Sequence, residues 1–231
     1  LNQDKAREIL EARCPYPDCA SFGELESIEL TQAGAICTHC NRPYTARSQL
    51  HHQEMVKKIN ALPPQLEPVG NTIAPLVVVL EDLRSLHNVG ATFRTADGAG
   101  FGKLYLCGIT GVPPRNQITK VSLGSEETVA WSFYPCIASC LSDLKALGYL
   151  VVGLEKNESS QSLYRALVSG KVKAPLALVI GNEVAGLSRE ALYLSDVVCH
   201  LGMKGMKESL NVSVAFGAAA YIISEFFDAA N

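Results

Sequence analysis

From about Ala74 to the C terminus, short apolar runs rich in β-branched residues alternate with stretches of helical pattern. Leu76 to Leu80 (LVVVL) is apolar at every position, which suits a strand of a parallel sheet covered on both faces. Further strands are expected at Lys103–Cys107, Thr128–Phe133, Tyr149–Leu154, Leu176–Ile180 and Val197–Leu201. Helices fit Gly90–Ala99, Ile137–Leu147, Ser188–Leu194 and Ser209–Phe227. This alternation predicts an α/β domain with a mostly parallel sheet and helices on both faces. Ligands of such sheets bind beyond the carboxyl ends of the strands.

The segment before that domain differs in kind. Cys14, Cys19, Cys37 and Cys40 are spaced C-x4-C-x17-C-x2-C, with polar turn residues inside both pairs (CPYPDC and CTHC). Paired thiols on two turns can present four sulfurs tetrahedrally, so residues 1–48 are expected to form a small zinc-ribbon-like module with a structural zinc ion. A short helix over Gln3–Ala12 would open it. A helical connector, Ala46–Ala61, and the proline-bearing linker LPPQLEPVGNTIAP would carry residues 49–73 to the α/β domain at 74–231. Cys107, Cys136, Cys140 and Cys199 lie among apolar residues and read as small core side chains.

Composition narrows the classes. A net charge of −3 and a pI near 6.0 give no bulk electrostatic attraction for nucleic acid. Any polyanion must therefore meet a local patch, for which Arg84, Arg94, Arg115, Lys120, Lys204 and Lys207 are available. The apolar runs are too short to cross a bilayer, and the charged N terminus lacks the apolar stretch of a signal peptide. No membrane association and a cytoplasmic location are expected. The GFGK at residues 100–103 follows a helix and precedes a strand, the reverse of a dinucleotide fingerprint.

Three motifs stand at strand-to-helix passages. In HNVGATFRTADG (His87 to Gly98), Asn88 is placed to cap a helix, and Gly90 would leave room for a ligand beside Arg94, whose guanidinium suits phosphate. The bland alternative is that Arg94 pairs with Asp97 one turn on. In LVIGNEVAGLS (Leu178 to Ser188), Gly181 allows a sharp turn and Glu183 falls at the carboxyl edge of the sheet, although a plain tight turn would look the same. In LGMKGMKESLNVS (Leu201 to Ser213), Ser209 is a natural N-cap and Asn211 falls in the first turn of the last helix. The small apolar AFGAAAYII that follows suits close packing against another helix.

Taken together, N-x-G-x-x-x-R, G-x-E and S-L-N in that order resemble the SpoU/TrmH branch of the SPOUT RNA methyltransferases, over roughly residues 74 to 231. The resemblance implies a trefoil knot at the C-terminal end of the sheet and S-adenosylmethionine as cofactor. It also implies methyl transfer to a ribose 2′-hydroxyl of tRNA or rRNA, by a homodimer that shares its active site. Carried across, it assigns catalytic positions to Asn88, Arg94, Glu183, Ser209 and Asn211, and a cofactor pocket to Leu154, Gly181, Leu201, Met203 and Leu210. Gly202 stands where the family usually has proline. The rival reading is a non-catalytic zinc-bearing RNA- or protein-binding adaptor on the same fold; the complete motif set argues against it. The cysteine module would select RNA or, alternatively, dock protein, since residues 1 to 70 carry seven basic against nine acidic side chains.

Overall fold

The computed structural model describes residues 28–31, 34–39, 42–44 and 74–229. The two helices expected before residue 62, the linker, and Cys14, Cys19 and Cys40 lie outside these residues. In the cysteine-bearing segment, β1 (Ile28–Thr31), β2 (Gly34–Cys37) and β3 (Pro43–Tyr44) form an antiparallel sheet in chain order. β2 ends at the buried Cys37, and the chain turns over Thr38 and His39. The Cys37 amide donates to the Arg42 carbonyl at 3.0 Å. Among the described residues no group of His, Cys, Asp or Glu is placed to hold a metal ion.

The α/β part runs β4 (Leu76–Glu81), α1 (Leu86–Gly98), β5 (Lys103–Cys107), α2 (Asn116–Ser122), α3 (Ser125–Thr128), β6 (Ala130–Tyr134) and α4 (Ile137–Ala146). It continues through β7 (Leu150–Leu154), β8 (Gln161–Ser162), α5 (Leu163–Val168), β9 (Leu176–Ile180), α6 (Arg189–Leu194), β10 (Val197–His200) and α7 (Val212–Asp228). The strands pair in the order β6-β5-β4-β9-β7-β10-β8, and every pairing is parallel.

The sheet is central because its strands alternate between two apolar layers. Leu76, Val78 and Leu80 of β4 face Val89, Phe93 and Ala96 of α1 and Phe216, Ala219 and Ile223 of α7. Val77 and Val79 face the other way, toward Ile137, Cys140 and Leu144 of α4 and Ala191 of α6. All six β4 side chains are buried, as its continuous apolar run requires. Each fully buried Val or Leu contributes roughly 1.5–3 kcal/mol relative to exposure. Cys107, Cys140 and Cys199 are core side chains as expected, whereas Cys136 is only half-buried at the start of α4. Among the described residues no helix is long and apolar enough to cross a membrane.

Four elements of the α/β part escape the sequence pattern. α2 buries only Ile118 and Ser122, α3 is one turn, β8 has two residues and α5 has six, so none carries a readable period. The topology also departs from chain order. The chain builds outward from β4 through β5 to β6 and then crosses back. β9 inserts between β4 and the earlier strand β7, bringing the carboxyl ends of β4 and β9 side by side. The loops after those two strands are the first and second motifs, so the crossover places them against each other.

Candidate active site

The loop after β4 is held by a carboxylate nearly a hundred residues away. Glu183, in the loop after β9, accepts from the Arg84 amide through Oε2 and from the Ser85 amide through Oε1, both at 3.0 Å. Its Oε1 also accepts from Asn88 Nδ2 at 3.1 Å. These groups sit at the N-terminal end of α1, where a negative charge is favoured by the aligned peptide dipoles. The cap of α1 is Ser85, whose Oγ accepts from the Asn88 amide at 3.3 Å, rather than Asn88 itself. The Asn88 side chain is thereby free to link motifs.

That link continues to the third motif. Asn211 Nδ2 donates to Asn88 Oδ1 at 3.3 Å, while Asn211 Oδ1 accepts from the amides of Ser213 and Val214 and from Ser213 Oγ. Asn211 is therefore the N-cap of α7, and the helix starts three residues later than Ser209. The expectation that Ser209 caps the helix is corrected. An asparagine whose carbonyl receives two backbone amides satisfies the open end of the helix better than the serine before it. Ser209 stays exposed at the mouth of the cavity described below.

Two side chains of the second motif make its loop rigid. Asn182, buried, accepts from the Val184 and Ala185 amides through Oδ1 and donates through Nδ2 to the Asp82 carbonyl at 2.6 Å. Its backbone exchanges hydrogen bonds with Gly186 in both directions. A Cβ on Gly181 would stand 2.3–2.4 Å from the Gly186 backbone, so only glycine lets the loop fold back over the end of β9.

Gly90 has a different use from the one its motif suggests. A Cβ there would meet the Ile118 carbonyl oxygen at 2.5 Å and the Val121 Cβ at 3.0 Å. The glycine admits the α2 backbone against α1 and leaves no room there for a ligand. Arg94, one turn beyond Gly90, is exposed and makes no hydrogen bond or ion pair within the described residues. Asp97 accepts from Thr128 instead of pairing with Arg94.

A cavity of about 420 Å³ opens beyond the carboxyl ends of β7, β9 and β10. All five expected pocket residues, Leu154, Gly181, Leu201, Met203 and Leu210, line it, together with Glu183, Ser209 and Asn211. Asn88 and Arg94 do not. Sequence reasoning missed Glu155, Lys156, Ile180 and His200 on the same wall. Glu155 directly follows Leu154, and its Oε2 accepts from the Leu187 amide at 3.1 Å, which fastens the second-motif loop from the far side. Their positions at the ends of β7, β9 and β10 were the available signal. The walls combine apolar side chains (Leu154, Ile180, Leu201, Leu210) with the carboxylates Glu155, Glu183 and Glu208. That donor set fits a ligand with a flat apolar part and a cationic part, at a size usual for small-molecule sites.

The same region carries the similarity to known proteins. The chain is 35% identical over 174 residues to the 23S rRNA (guanosine-2′-O-)-methyltransferase RlmB of Ralstonia nicotianae, covering 74% of this chain and 68% of that protein. The AdoMet-bound rRNA methyltransferase from Sinorhizobium meliloti superposes with a TM-score of 0.60 at 25% identity, over 68% of this chain and 58% of that one. The A. aeolicus TrmH/SpoU tRNA modifying enzyme does so with a TM-score of 0.61 at 24% identity, over 78% and 85%. Residues 75–221 match the SpoU rRNA Methylase family, and the chain, whose three motifs are joined through Asn88, Glu183 and Asn211, belongs to that family.

Proposed function

We propose that this chain is an S-adenosylmethionine-dependent RNA methyltransferase that methylates a ribose 2′-hydroxyl of tRNA or rRNA. The observation that carries the reading is the junction of Asn88, Glu183 and Asn211 at the rim of the cavity, one residue from each motif. When bound, S-adenosylmethionine supplies a methyl group already activated by its sulfonium charge. Leu154, Leu201, Met203 and Leu210 would hold its apolar parts, and the Gly181 backbone would border it.

The remaining task for the protein is alignment of a weakly acidic hydroxyl. A guanidinium hardly ever gives up its proton, so Arg94 is not the base. Arg94 instead holds the adjacent RNA phosphate and stabilises the developing alkoxide, with the proton passing to that phosphate. Glu183, Asn88 and Asn211 keep the loops in register, and Ser209 meets the substrate at the rim.

Homodimerisation is part of this proposal. Val214, Ala218 and Tyr221 are exposed along one face of α7, at i, i+4 and i+7. Arg94 stands outside the cavity of its own chain, which suits a site completed by a second subunit. The proposal further includes a trefoil knot in the C-terminal part of the 74–231 domain. It also includes a zinc site of Cys14, Cys19, Cys37 and Cys40 in a 1–48 module joined by residues 49–73, and a cytoplasmic location. Cys37 at the end of β2, followed by the turn at Thr38–His39, suits one knuckle of such a site.

The test is transfer of labelled methyl from S-adenosylmethionine to total RNA from cells lacking the protein, followed by nuclease digestion and mass spectrometry. A 2′-O-methylated nucleoside is expected. Methylated bases alone would overturn the ribose assignment, and no transfer together with no cofactor binding would overturn the reading as a whole.

A further inference from the structure

His200 is one of the cavity residues that the sequence did not single out, and the methyl transfer described above gives it no task. It ends β10, is half-buried and lines the cavity beside Leu201. Its Nδ1 lies 2.9 Å from Ser160 Oγ, in the loop between β7 and β8. The backbone holds the two segments together as well, with His200 opposite Ser162 in the parallel pairing of β10 and β8. The other ring nitrogen, Nε2, makes no hydrogen bond among the described residues. The imidazole is thus fixed at one nitrogen and unspent at the other.

The loop that carries Ser160 decides what the unspent nitrogen offers. Asn157 Oδ1 accepts from the Ser159 amide at 3.0 Å and from Ser159 Oγ at 2.9 Å, and the Asn157 carbonyl accepts from the Ser160 amide at 3.3 Å. The loop is therefore tied to itself. Within it, Ser160 Oγ accepts from the Asn157 amide at 3.1 Å and donates to the Asn157 carbonyl at 2.8 Å. A hydroxyl has one hydrogen and two lone pairs. With that hydrogen directed at the carbonyl, a lone pair is left for His200, so Nδ1 carries the ring proton and donates it. Nε2 of the neutral imidazole is then an acceptor. An acceptor takes an O–H or N–H group and turns away a carboxylate.

We propose that His200 contacts S-adenosylmethionine, its Nε2 accepting a hydrogen bond from a ribose hydroxyl or from the ammonium group of the methionine part, and that Ser160 positions the ring for this. The inference rests on the methyltransferase reading and deepens it. Leu154, Leu201, Met203 and Leu210 supply apolar contact without direction, whereas a hydrogen bond to His200 fixes orientation. Glu155, on the same wall, has both carboxylate oxygens engaged, Oε2 by the Leu187 amide and Oε1 by the Lys156 amide.

The experiment compares the full chain with its His200→Leu, His200→Gln and Ser160→Ala variants. Unfolding midpoints are measured, with calorimetric affinities for S-adenosylmethionine and for 5′-methylthioadenosine, which keeps the ribose hydroxyls but lacks the amino-acid part. His200→Leu is expected to weaken S-adenosylmethionine binding about tenfold, the scale of one lost hydrogen bond, with the midpoint little changed. His200→Gln, whose amide oxygen reaches the place of Nε2, should stay within about threefold of wild type, and Ser160→Ala should fall between the two. An equal loss for both ligands assigns the contact to a ribose hydroxyl, and a loss for S-adenosylmethionine alone assigns it to the ammonium group. Wild-type affinity in His200→Leu, or equal losses in the Leu and Gln variants, would overturn the proposal. Nitrogen-15 spectra of histidine-labelled wild-type protein, with His200 assigned through the Gln variant, test it without a disruptive substitution. The neutral ring should carry its proton on Nδ1, and its Nε2 signal should shift when S-adenosylmethionine is added. A proton on Nε2, or a signal unmoved by the cofactor, would also overturn it. A wild-type chain that does not bind S-adenosylmethionine fails the methyltransferase reading itself, whereas wild-type binding that His200→Leu leaves intact fails this inference alone.

Discussion

Asn88 and Arg94 come from one motif on one helix, six residues apart, yet the structure treats them oppositely. Asn88 has both ends of its amide engaged, Nδ2 on Glu183 and Oδ1 facing Asn211. Arg94 is exposed and makes no hydrogen bond or ion pair within the described residues. A polar group whose capacity is used up inside the protein can position but has little left for substrate. A guanidinium with its donors directed to solvent can take up a phosphate when one arrives. The difference separates Asn88, which builds the site, from Arg94, which under the proposed function is left to contact RNA.

That division is open to direct attack. Arg94→Ala should lower turnover by about 10²-fold or more, the usual scale for losing a charge-stabilising donor, while the unfolding midpoint and cofactor affinity stay at wild-type values. Normal methyl transfer by a folded Arg94→Ala protein would remove it from the substrate-contacting class. Glu183→Ala should behave as a structural change. Three donors at the start of α1 lose their acceptor at a partly solvated position, so stability should fall by about 1–3 kcal/mol. Denaturant unfolding checks that figure, and reduced turnover should accompany it through loosening of the first loop.

Gly90→Ala tests whether the glycine serves the protein or the ligand. Its Cβ would collide with the α2 backbone, so a loss of about 1–3 kcal/mol is expected, with cofactor affinity little changed. A stable Gly90→Ala protein that binds cofactor weakly would return this position to the ligand. The smallest effect belongs to Asn211→Ala. Loss of the α7 cap should cost about 1 kcal/mol, and the link to Asn88 disappears with it. Thermal unfolding reads the first, and kcat at saturating cofactor reads the second.

Much of this architecture was legible in the chain because burial on two faces leaves a mark in composition. β5 and β9 fall where the apolar runs begin and end, and α4 and α7 agree with their periodic patterns to within a few residues. Helix starts were read less well. Ser85 and Asn211 compete with Asn88 and Ser209 for capping, and a string of residues does not say which oxygen faces the free amides. The five pocket positions were named through the family resemblance, and the neighbours Glu155 and His200 were not, since a polar residue at a strand end has no pattern of its own.

What the sequence determined by itself was therefore local: the buried strands, the amphipathic helices and the three motifs, each set by side-chain periodicity within a few turns of chain. Tertiary structure alone decided which distant ends meet. The insertion of β9 between β4 and β7 brings Glu183 to the amides of Arg84 and Ser85, and α7 brings Asn211 to Asn88. Hydrogen bonds spanning about a hundred residues depend on strand order and the close approach of backbones, and neither is written in any short window of sequence.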